Sequence, residues 1–354
     1  MLKYEIIKIG GEDLQVSDGK ITFMGDESLV ARANLCLSTA ERVFIELAEF
    51  KAGTFEELFQ GVRKLELERF IGVKNAFPVK GYSLNSALHS VPDCQSIIKK
   101  AAVERLKSKY GVSWFEESEA PVQIKFSILK DVVNIFLDTS GIGLHKRGYR
   151  RNSNAAPIKE TLAAGIVDLA RVRPDSIVCD PFCGSGTILI EAALKALRIA
   201  PGINRRFAAE RWGTFDPKLW QEERSRAIDN VDRSAKFMGY GFDIDDDACM
   251  LTLDNAHKAG IKSRLRVEPA DITKFMHPED AIVICNPPYG ERLLELREAE
   301  NIYRSMGKVL GKGSAKPTYV ISPHEQFEDF FGVKAKKRRK LYNGMIKCQL
   351  YMYF

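Results

Sequence analysis

The sequence predicts an α/β protein: a doubly wound parallel sheet closed by an antiparallel strand and preceded by an N-terminal α+β half. Three observations lead there. From about residue 157 onward, helical segments alternate with short all-apolar runs, the signature of strands joined by crossover helices. Before that point the strand candidates come in hairpins, one turning at Asp18-Gly19 and one at Lys130-Asp131. Between the two regions, residues 139–154 are rich in Gly, Arg, Ser and Asn and lack apolar periodicity, which marks a linker.

In chain order, residues 2–9 form a short helical candidate, 14–16 and 21–24 the strands of the first hairpin, and 27–37 a helix. Residues 42–50 alternate well enough for a strand, and Thr54 stands three residues before Glu57, the spacing of a reciprocal helix cap. A brief extended piece follows at 77–79. Pro92 falls in a first helical turn, where its missing N–H is tolerated. Ile97, Ile98, Ala101, Ala102, Leu106 and Tyr110 then recur at helical spacing until Gly111, and 122–129 with 132–137 make the second hairpin.

Past the linker, helices are expected at 157–170, 187–197 and 245–259, and strands at 176–179, 240–242, 265–267 and 281–285. Residues 201–236, charged and aromatic, interrupt this alternation as an insertion. Asn343-Gly344 turns the chain into 345–353, the closing antiparallel strand.

Composition narrows the function. The chain has 354 residues, 45% hydrophobic and 28% charged, enough for two or three ordinary globular domains. Charges interrupt the N-terminus too early for a signal peptide and no run of 18 apolar residues occurs, so a cytoplasmic protein without a membrane partner is expected. The 7 cysteines are scattered without a C-x-x-C pair and the 5 histidines do not join them, which indicates neither a disulfide framework nor a metal site. A net charge of +6 permits a polyanionic partner without requiring one.

The residues Asp180-Pro181-Phe182-Cys183-Gly184-Ser185-Gly186-Thr187 lie between a predicted strand and a predicted helix, the setting of a cofactor-binding glycine loop. Gly184 and Gly186 allow close backbone approach, and the helix start favours an anionic group. The loop lacks the G-K-[ST] end of a phosphate loop, and Leu189 stands where a dinucleotide fingerprint needs its third glycine. Asp180 suits a cation, such as the amino group of S-adenosylmethionine. Asp243, ending the next strand, is placed to accept from ribose hydroxyls, and Asp271, after the strand beyond, to meet an adenine amino group. Acids at strand ends also serve simply as helix caps, the role expected of Asp245.

After the fourth strand come Asn286, Pro287, Pro288 and Tyr289. Alkylating an exocyclic amino group of a nucleobase requires drawing out a lone pair delocalised into the ring. An acceptor side chain, Asn286, and the carbonyl of Pro287, both aimed at the N–H bonds, would do so. Consecutive prolines fix φ and donate no N–H, and Tyr289 offers a face to a base. Two basic runs, residues 334–340 (KAKKRRK) and 145–151 (HKRGYRR), are candidate phosphate contacts through Lys336, Lys337, Arg338, Arg339, Lys146 and Arg147.

Together the motifs resemble the bacterial THUMP-domain RNA guanine-N2 methyltransferases, similar to the enzymes that methylate 23S ribosomal RNA. They are SVPDCQ (90–95), LDTSGIGLHKRGYR (137–150), APIKETLAA (156–164), DPFCGSGT (180–187), GFDID (241–245), NPPYGERL (286–293) and RRKLYNG (338–344). The resemblance implies a ferredoxin-like segment over 1–55 that lacks its first strand, a THUMP RNA-binding domain over 56–147, and a Rossmann-like methyltransferase domain over 148–354. It implies S-adenosylmethionine as cofactor, with Asp180, Cys183, Gly184 and Gly186 along its methionine end, the loop from Pro157 to Thr161 beside them, Asp243 at the ribose and Asp271 at the adenine. Asn286 and Pro287 would hold the target amino group and Tyr289 the base, and the partner would be 23S rRNA or its precursor. The asparagine-proline motif serves adenine N6 as well as guanine N2, so an adenine methyltransferase acting on DNA or RNA is the second reading. A catalytically silent RNA-binding protein is the third. A ring-carbon mechanism through Cys285 is disfavoured, because that thiol lies within an apolar run.

Overall fold

The computed structural model describes residues 1–150, 158–276, 278–290, 293–311 and 317–354. Helix α1 (Leu2–Lys8) leads into the antiparallel hairpin β1 (Glu12–Ser17) and β2 (Lys20–Met24). Asp26 then caps α2 (Glu27–Cys36), its carboxylate accepting the Leu29 N–H at 2.9 Å. Strand β3 (Phe44–Lys51) is followed by α3 (Phe55–Arg63), where Thr54 and Glu57 form the reciprocal cap that their spacing predicted. The extended piece expected at 77–79 is the approach to β4 (Val79–Leu84), whose Gly81 and Ser83 dilute its apolar pattern. Helix α4 (Val91–Tyr110) carries Pro92 in its first turn and stops at left-handed Gly111. Strands β5 (Ile124–Leu129) and β6 (Val132–Asp138) turn through Lys130 and Asp131, both at positive φ, which matches the twist of a tight hairpin.

These strands form a four-stranded sheet in the order β3-β6-β5-β4. Residues 44–51, assigned to the first segment by sequence, therefore belong to the sheet of the second. One continuous apolar core joins the two, with Ile6, Leu35, Leu58, Ile98, Phe126 and Leu137 all essentially inaccessible.

Residues 139–150 of the expected linker form a packed strap, and 151–154 lie outside the described residues. Thr139, Ser140, Leu144, Arg147 and Tyr149 are buried, because their polar groups find partners on both sides. The insertion has an equally definite role. Its helix α7 (Pro217–Asp229) packs on α2, Glu223 takes a two-pronged ion pair from Arg32 at 2.6 and 2.8 Å, and Phe207, Trp212 and Trp220 complete the N-terminal core. Each such buried aromatic contributes about 2–3 kcal/mol.

The C-terminal part follows the predicted alternation. In order come α5 (Glu160–Leu169), β7 (Ile177–Asp180), α6 (Thr187–Ala196), β8 (Met238–Asp243), α8 (Asp246–Lys258), β9 (Leu265–Pro269) and β10 (Ile282–Cys285). Three elements that the sequence did not signal complete it: α9 (Leu293–Met306), β11 (Thr318–Ser322) and α10 (Phe327–Phe331). Charged residues dilute the buried stripe Ala299, Tyr303 and Met306 of α9. The last hairpin is β12 (Lys337–Asn343) and β13 (Ile346–Tyr353). The sheet order is β12-β13-β11-β10-β7-β8-β9, with β13 antiparallel to β11 and to β12 and the other pairings parallel. Alternate residues of the strands feed two cores: Val178, Ile284, Ile321 and Leu350 under α5 and α6, Cys179, Val283, Val320 and Tyr351 under α9 and α10. Among the described residues no helix is long and apolar enough to cross a membrane.

Candidate active site

Doubly wound sheets bind ligands outside the carboxyl ends of their strands, where the strand order reverses. Here the reversal lies between β10 and β7. Asp180 ends β7, Asp243 ends β8, Asp271 follows β9, Asn286 follows β10, and Asn343 ends β12, so five polar side chains lie along one edge.

The glycine loop starts at Asp180, a carboxylate only 1% exposed that accepts the Phe182 N–H at 3.1 Å. Burial, and secondarily the neighbouring Asp243, push its pKa up to about 8. Gly186 is the N-cap of α6 at φ +77°, a conformation other residues adopt only with strain, and a β-carbon on Gly184 would meet nothing within 4 Å. The loop is therefore open on the Gly184 side. Asp243 ties it to β8, accepting the Gly184 N–H at 2.9 Å and the Asp245 N–H at 3.2 Å. Two residues that the sequence reading missed hold the loop from behind. Thr252 donates to the Gly184 carbonyl and Asn255 to the Ser185 carbonyl, each at 2.9 Å, and both are fully buried on α8. Their signal was two polar residues, three apart, on the buried face of a helix.

Not every assigned residue lines this loop. Cys183 turns its thiol into the core, 3.6 Å from the Thr252 hydroxyl oxygen; only its backbone lies on the loop, so a ligand role for its side chain is corrected to packing. Thr161 donates its hydroxyl to Glu41 at 2.6 Å, which places it at the contact with the N-terminal half instead of toward the loop. Pro157 lies outside the described residues. Asp271 caps a short turn through the Thr273 hydroxyl and N–H, which hold its pKa below the usual carboxylate range. Asp245 caps α8, as expected.

The acceptor peptide is held from two sides. Tyr303, buried on α9, donates to the Pro288 carbonyl at 2.8 Å, whereas no donor among the described residues takes the Pro287 carbonyl. Asn286 Oδ1 accepts the Tyr289 O–H at 2.6 Å. Tyr289 is half-buried against the core beneath α5, where Cys348 and Asn343 also meet its hydroxyl. Its ring therefore does not stand free as a stacking face in this conformation. Asn343, also missed by the sequence reading, additionally accepts the Lys159 N–H at 3.3 Å, joining the closing hairpin to the first turn of α5. Cys285 is wholly buried and its thiol pKa is pushed up, which fits packing.

The basic candidates divide. Lys146 is exposed, but Arg147 is 3% exposed and paired with Glu191, so its assignment as a phosphate contact is corrected to an internal ion pair. Lys336 precedes β12, and Lys337, Arg338 and Arg339 lie on it. As side chains alternate on a strand, Lys337 and Arg339 share a face with Asn343, while Arg338 turns to the other face and pairs with Glu328.

The geometry fits S-adenosylmethionine: an open glycine backbone at a helix start could meet its carboxylate, a buried carboxylate with no cation paired to it among the described residues its amino group, and acids at the next two strand ends its ribose and adenine.

Comparisons with known proteins agree. The family profile described as "RMKL-like, methyltransferase domain" matches residues 147–352, "RlmL ferredoxin-like domain" 1–44 and "THUMP domain" 52–138. The chain is 42% identical over 347 residues to "Putative RNA methyltransferase YpsC" of Bacillus subtilis, covering 97% of this chain and 90% of that one. It is 30% identical to "Ribosomal RNA large subunit methyltransferase K/L" of Psychromonas ingrahamii, covering all of this chain but 48% of that protein, so it spans about half the length of that relative. Among solved structures it is similar to "a predicted N6-adenine-specific DNA methylase from Listeria monocytogenes", with TM-score 0.95, 42% identity and coverage of 100% and 92%. It is also similar to "a putative methyltransferase complexed with SAH", with TM-score 0.92, 38% identity and coverage of 99% and 93%.

Proposed function

The chain belongs to the RMKL-like methyltransferase family, and from that premise we propose that it is an S-adenosylmethionine-dependent RNA methyltransferase forming N2-methylguanosine in 23S rRNA or its precursor in the cytoplasm. The observation that carries the reading is the placement of Asn286 and the Pro287 carbonyl at the end of β10, next to Asp180 and the glycine loop at the end of β7. Acceptor and donor sites thus flank the point where the strand order reverses.

When bound, the cofactor supplies an electrophilic methyl group on a sulfonium. Asp180 would hold the cofactor's amino group, the Gly184 and Gly186 backbone would lie along its methionine end, and Asp243 and Asp271 would take the ribose and adenine. Asn286 Oδ1 and the Pro287 carbonyl accept the two N–H bonds of the target amine. Held in that way, the amine lone pair would face the methyl group, and alignment would supply most of the rate. Tyr289 fixes the Asn286 carbonyl before the substrate arrives. The amine's proton passes to solvent after transfer. On the nucleic-acid side, the THUMP match and the ribosomal names of relatives support RNA, and Lys146, Lys336, Lys337 and Arg339 hold phosphates.

A second reading, adenine N6 methylation, is favoured by the name of the Listeria relative. Incubation with tritiated cofactor and ribosomal RNA, then digestion to nucleosides, separates the two. Label in N2-methylguanosine is expected; label only in N6-methyladenosine would overturn the guanine assignment, and transfer to DNA in preference to RNA the RNA assignment.

A further inference from the structure

Asn343 and Gly344 look in the sequence like the two residues of a hairpin turn, yet the turn is made by Gly344, at φ +64°, and Met345. Asn343 still belongs to β12, pairs with Ile346, and is not among the residues at positive φ. The turn therefore does not require an asparagine there. Its side chain is 7% exposed and lies at the carboxyl edge of the sheet, against Tyr289 of the acceptor peptide.

A buried amide needs partners at both ends, for an oxygen that only accepts and a nitrogen that only donates. The Asn343 oxygen accepts the Lys159 backbone N–H at 3.3 Å. A backbone N–H cannot accept, so this bond fixes which end of the amide faces α5. The nitrogen is left for the other neighbour, the Tyr289 hydroxyl, and the contact favours the ionised phenol, as a donor to its oxygen does.

The Tyr289 hydroxyl has one proton to give. It cannot go to a donor, and Cys348 Sγ, at 3.9 Å, is a weak acceptor. It goes to Asn286 Oδ1 at 2.6 Å. Turned over, the Asn286 amide would present its NH2 to that proton, which would then have no acceptor better than the sulfur.

We propose that Asn343 is a positioning residue for the acceptor site: the hydrogen bonds from Lys159 through Asn343 and Tyr289 to Asn286 all point one way, and they keep the Asn286 oxygen facing the substrate. A site of that polarity takes a group carrying N–H donors, an exocyclic amine, and turns away a keto oxygen in the same place. The inference rests on the methyltransferase reading above and names a residue on which its choice of acceptor depends.

The test compares Asn343→Asp with Asn343→Ala in the full chain, by tritium transfer from labelled S-adenosylmethionine, at saturation, to protein-free ribosomal RNA. An ionised carboxylate keeps the Lys159 bond but draws the Tyr289 proton away from Asn286. Alanine loses the Lys159 bond and leaves the proton where it was. At pH 8, Asn343→Asp should lower kcat about five- to tenfold and Asn343→Ala only about two- to threefold, with the KM for cofactor within about twofold in both. A purely structural role gives the opposite order. A neutral carboxyl group can accept from Lys159 and donate to Tyr289, so lowering the pH to about 5.5 should bring the Asn343→Asp rate back to within about twofold of wild type at the same pH. Of the titratable groups facing this position, Tyr289 and Cys348 are pushed up by burial and stay protonated, Lys159 turns its ammonium to Glu41 at 3.9 Å, and Asp180 titrates in both enzymes alike.

In a Tyr289→Phe background, where no proton remains to be directed, neither substitution should cost more than about twofold further. Calorimetry with S-adenosylhomocysteine checks the fold; if Asn343→Asp loses that binding, Asn343→Ala with and without Tyr289→Phe decides. Equal losses in the two backgrounds, a greater loss with alanine than with aspartate, or no recovery at low pH overturns the positioning role while wild type remains active. A wild type that binds S-adenosylhomocysteine but transfers no tritium to RNA overturns the RNA methyltransferase reading and this role with it.

Discussion

Arg147 and Glu191 meet at 3.2 Å with each side chain 2% exposed, and they join the strap to the helix that the glycine loop starts. The guanidinium also donates to the carbonyls of Leu144 and Ser38, and Tyr149 donates to the same carboxylate at 3.0 Å. Removing one partner strands a buried charge, which typically costs 3–5 kcal/mol. Arg147→Ala and Glu191→Ala should therefore each lower the urea midpoint markedly, and Arg147→Met combined with Glu191→Leu should recover much of the loss. Equal destabilisation by the double and single variants would contradict the pairing.

Asp180 sets a pH dependence. Its folded pKa, about 8, lies above the ordinary aspartate value of 3.8, so the stability it confers as a neutral group is complete below about pH 4 and is lost as pH rises toward 8. A cationic ligand reverses the preference, because it pairs with the ionised form. Cofactor binding below pH 8 should expel close to one proton, and affinity should rise by up to tenfold per pH unit between 6 and 8, then level off. Calorimetry at pH 6.5 in two buffers of different ionisation enthalpy reads the proton directly. Asp180→Asn should bind weakly at every pH with no proton release.

Thr252 offers a quieter test of the loop. Thr252→Val keeps the shape but leaves the Gly184 carbonyl without its 2.9 Å donor. An unpaired buried acceptor costs about 1–1.5 kcal/mol, so the KM for cofactor should rise roughly five- to tenfold with little change in kcat. A kcat loss at unchanged KM would mean that Thr252 acts on the acceptor side instead.

The strand β12 separates two kinds of arginine. Arg339→Glu combined with Lys337→Glu should weaken RNA binding and flatten its salt dependence while leaving stability within about 0.5 kcal/mol. Arg338→Glu should instead lower the Tm, since it brings a second carboxylate against Glu328. Identical behaviour of the two faces would return the whole run to the role of charges that keep an edge strand unpaired.

Much of this was legible in the letters. Strand ends in an α/β sheet are short apolar runs followed by a polar residue, so Asp180, Asp243, Asp271 and Asn286 could be placed before the order of the strands was known. What stayed hidden depends on distant partners. Nothing local distinguishes Arg147, which finds Glu191, from exposed Lys146 beside it. Residues 201–236 read as an interruption because their aromatic side chains complete a core built by another part of the chain. Asn343 and Thr252 act through backbone carbonyls and amides, groups that every sequence contains.

The hydrogen bond from Tyr289 to Asn286 distinguishes the two residues that the acceptor motif makes look equivalent. In the proposed mechanism, Asn286 supplies an oxygen that meets the target amine as its lone pair is drawn out. Asn286→Ala should thus lower kcat by at least about a hundredfold, the scale of losing one preorganised polar contact, while the KM for cofactor stays within about threefold. In the same mechanism Tyr289 would act through that oxygen by orienting the amide, and its hydroxyl, pushed up in pKa by burial, stays protonated at working pH. Tyr289→Phe removes one hydrogen bond of about 1–1.5 kcal/mol and keeps the ring, so kcat should fall only about five- to tenfold. Tyr289→Ala also takes the ring from the core beneath α5, and should add a loss of stability that the Phe variant lacks. If Tyr289→Phe were as severe as Asn286→Ala, the hydroxyl would have to touch the reacting amine itself, and the orienting role assigned here would be wrong.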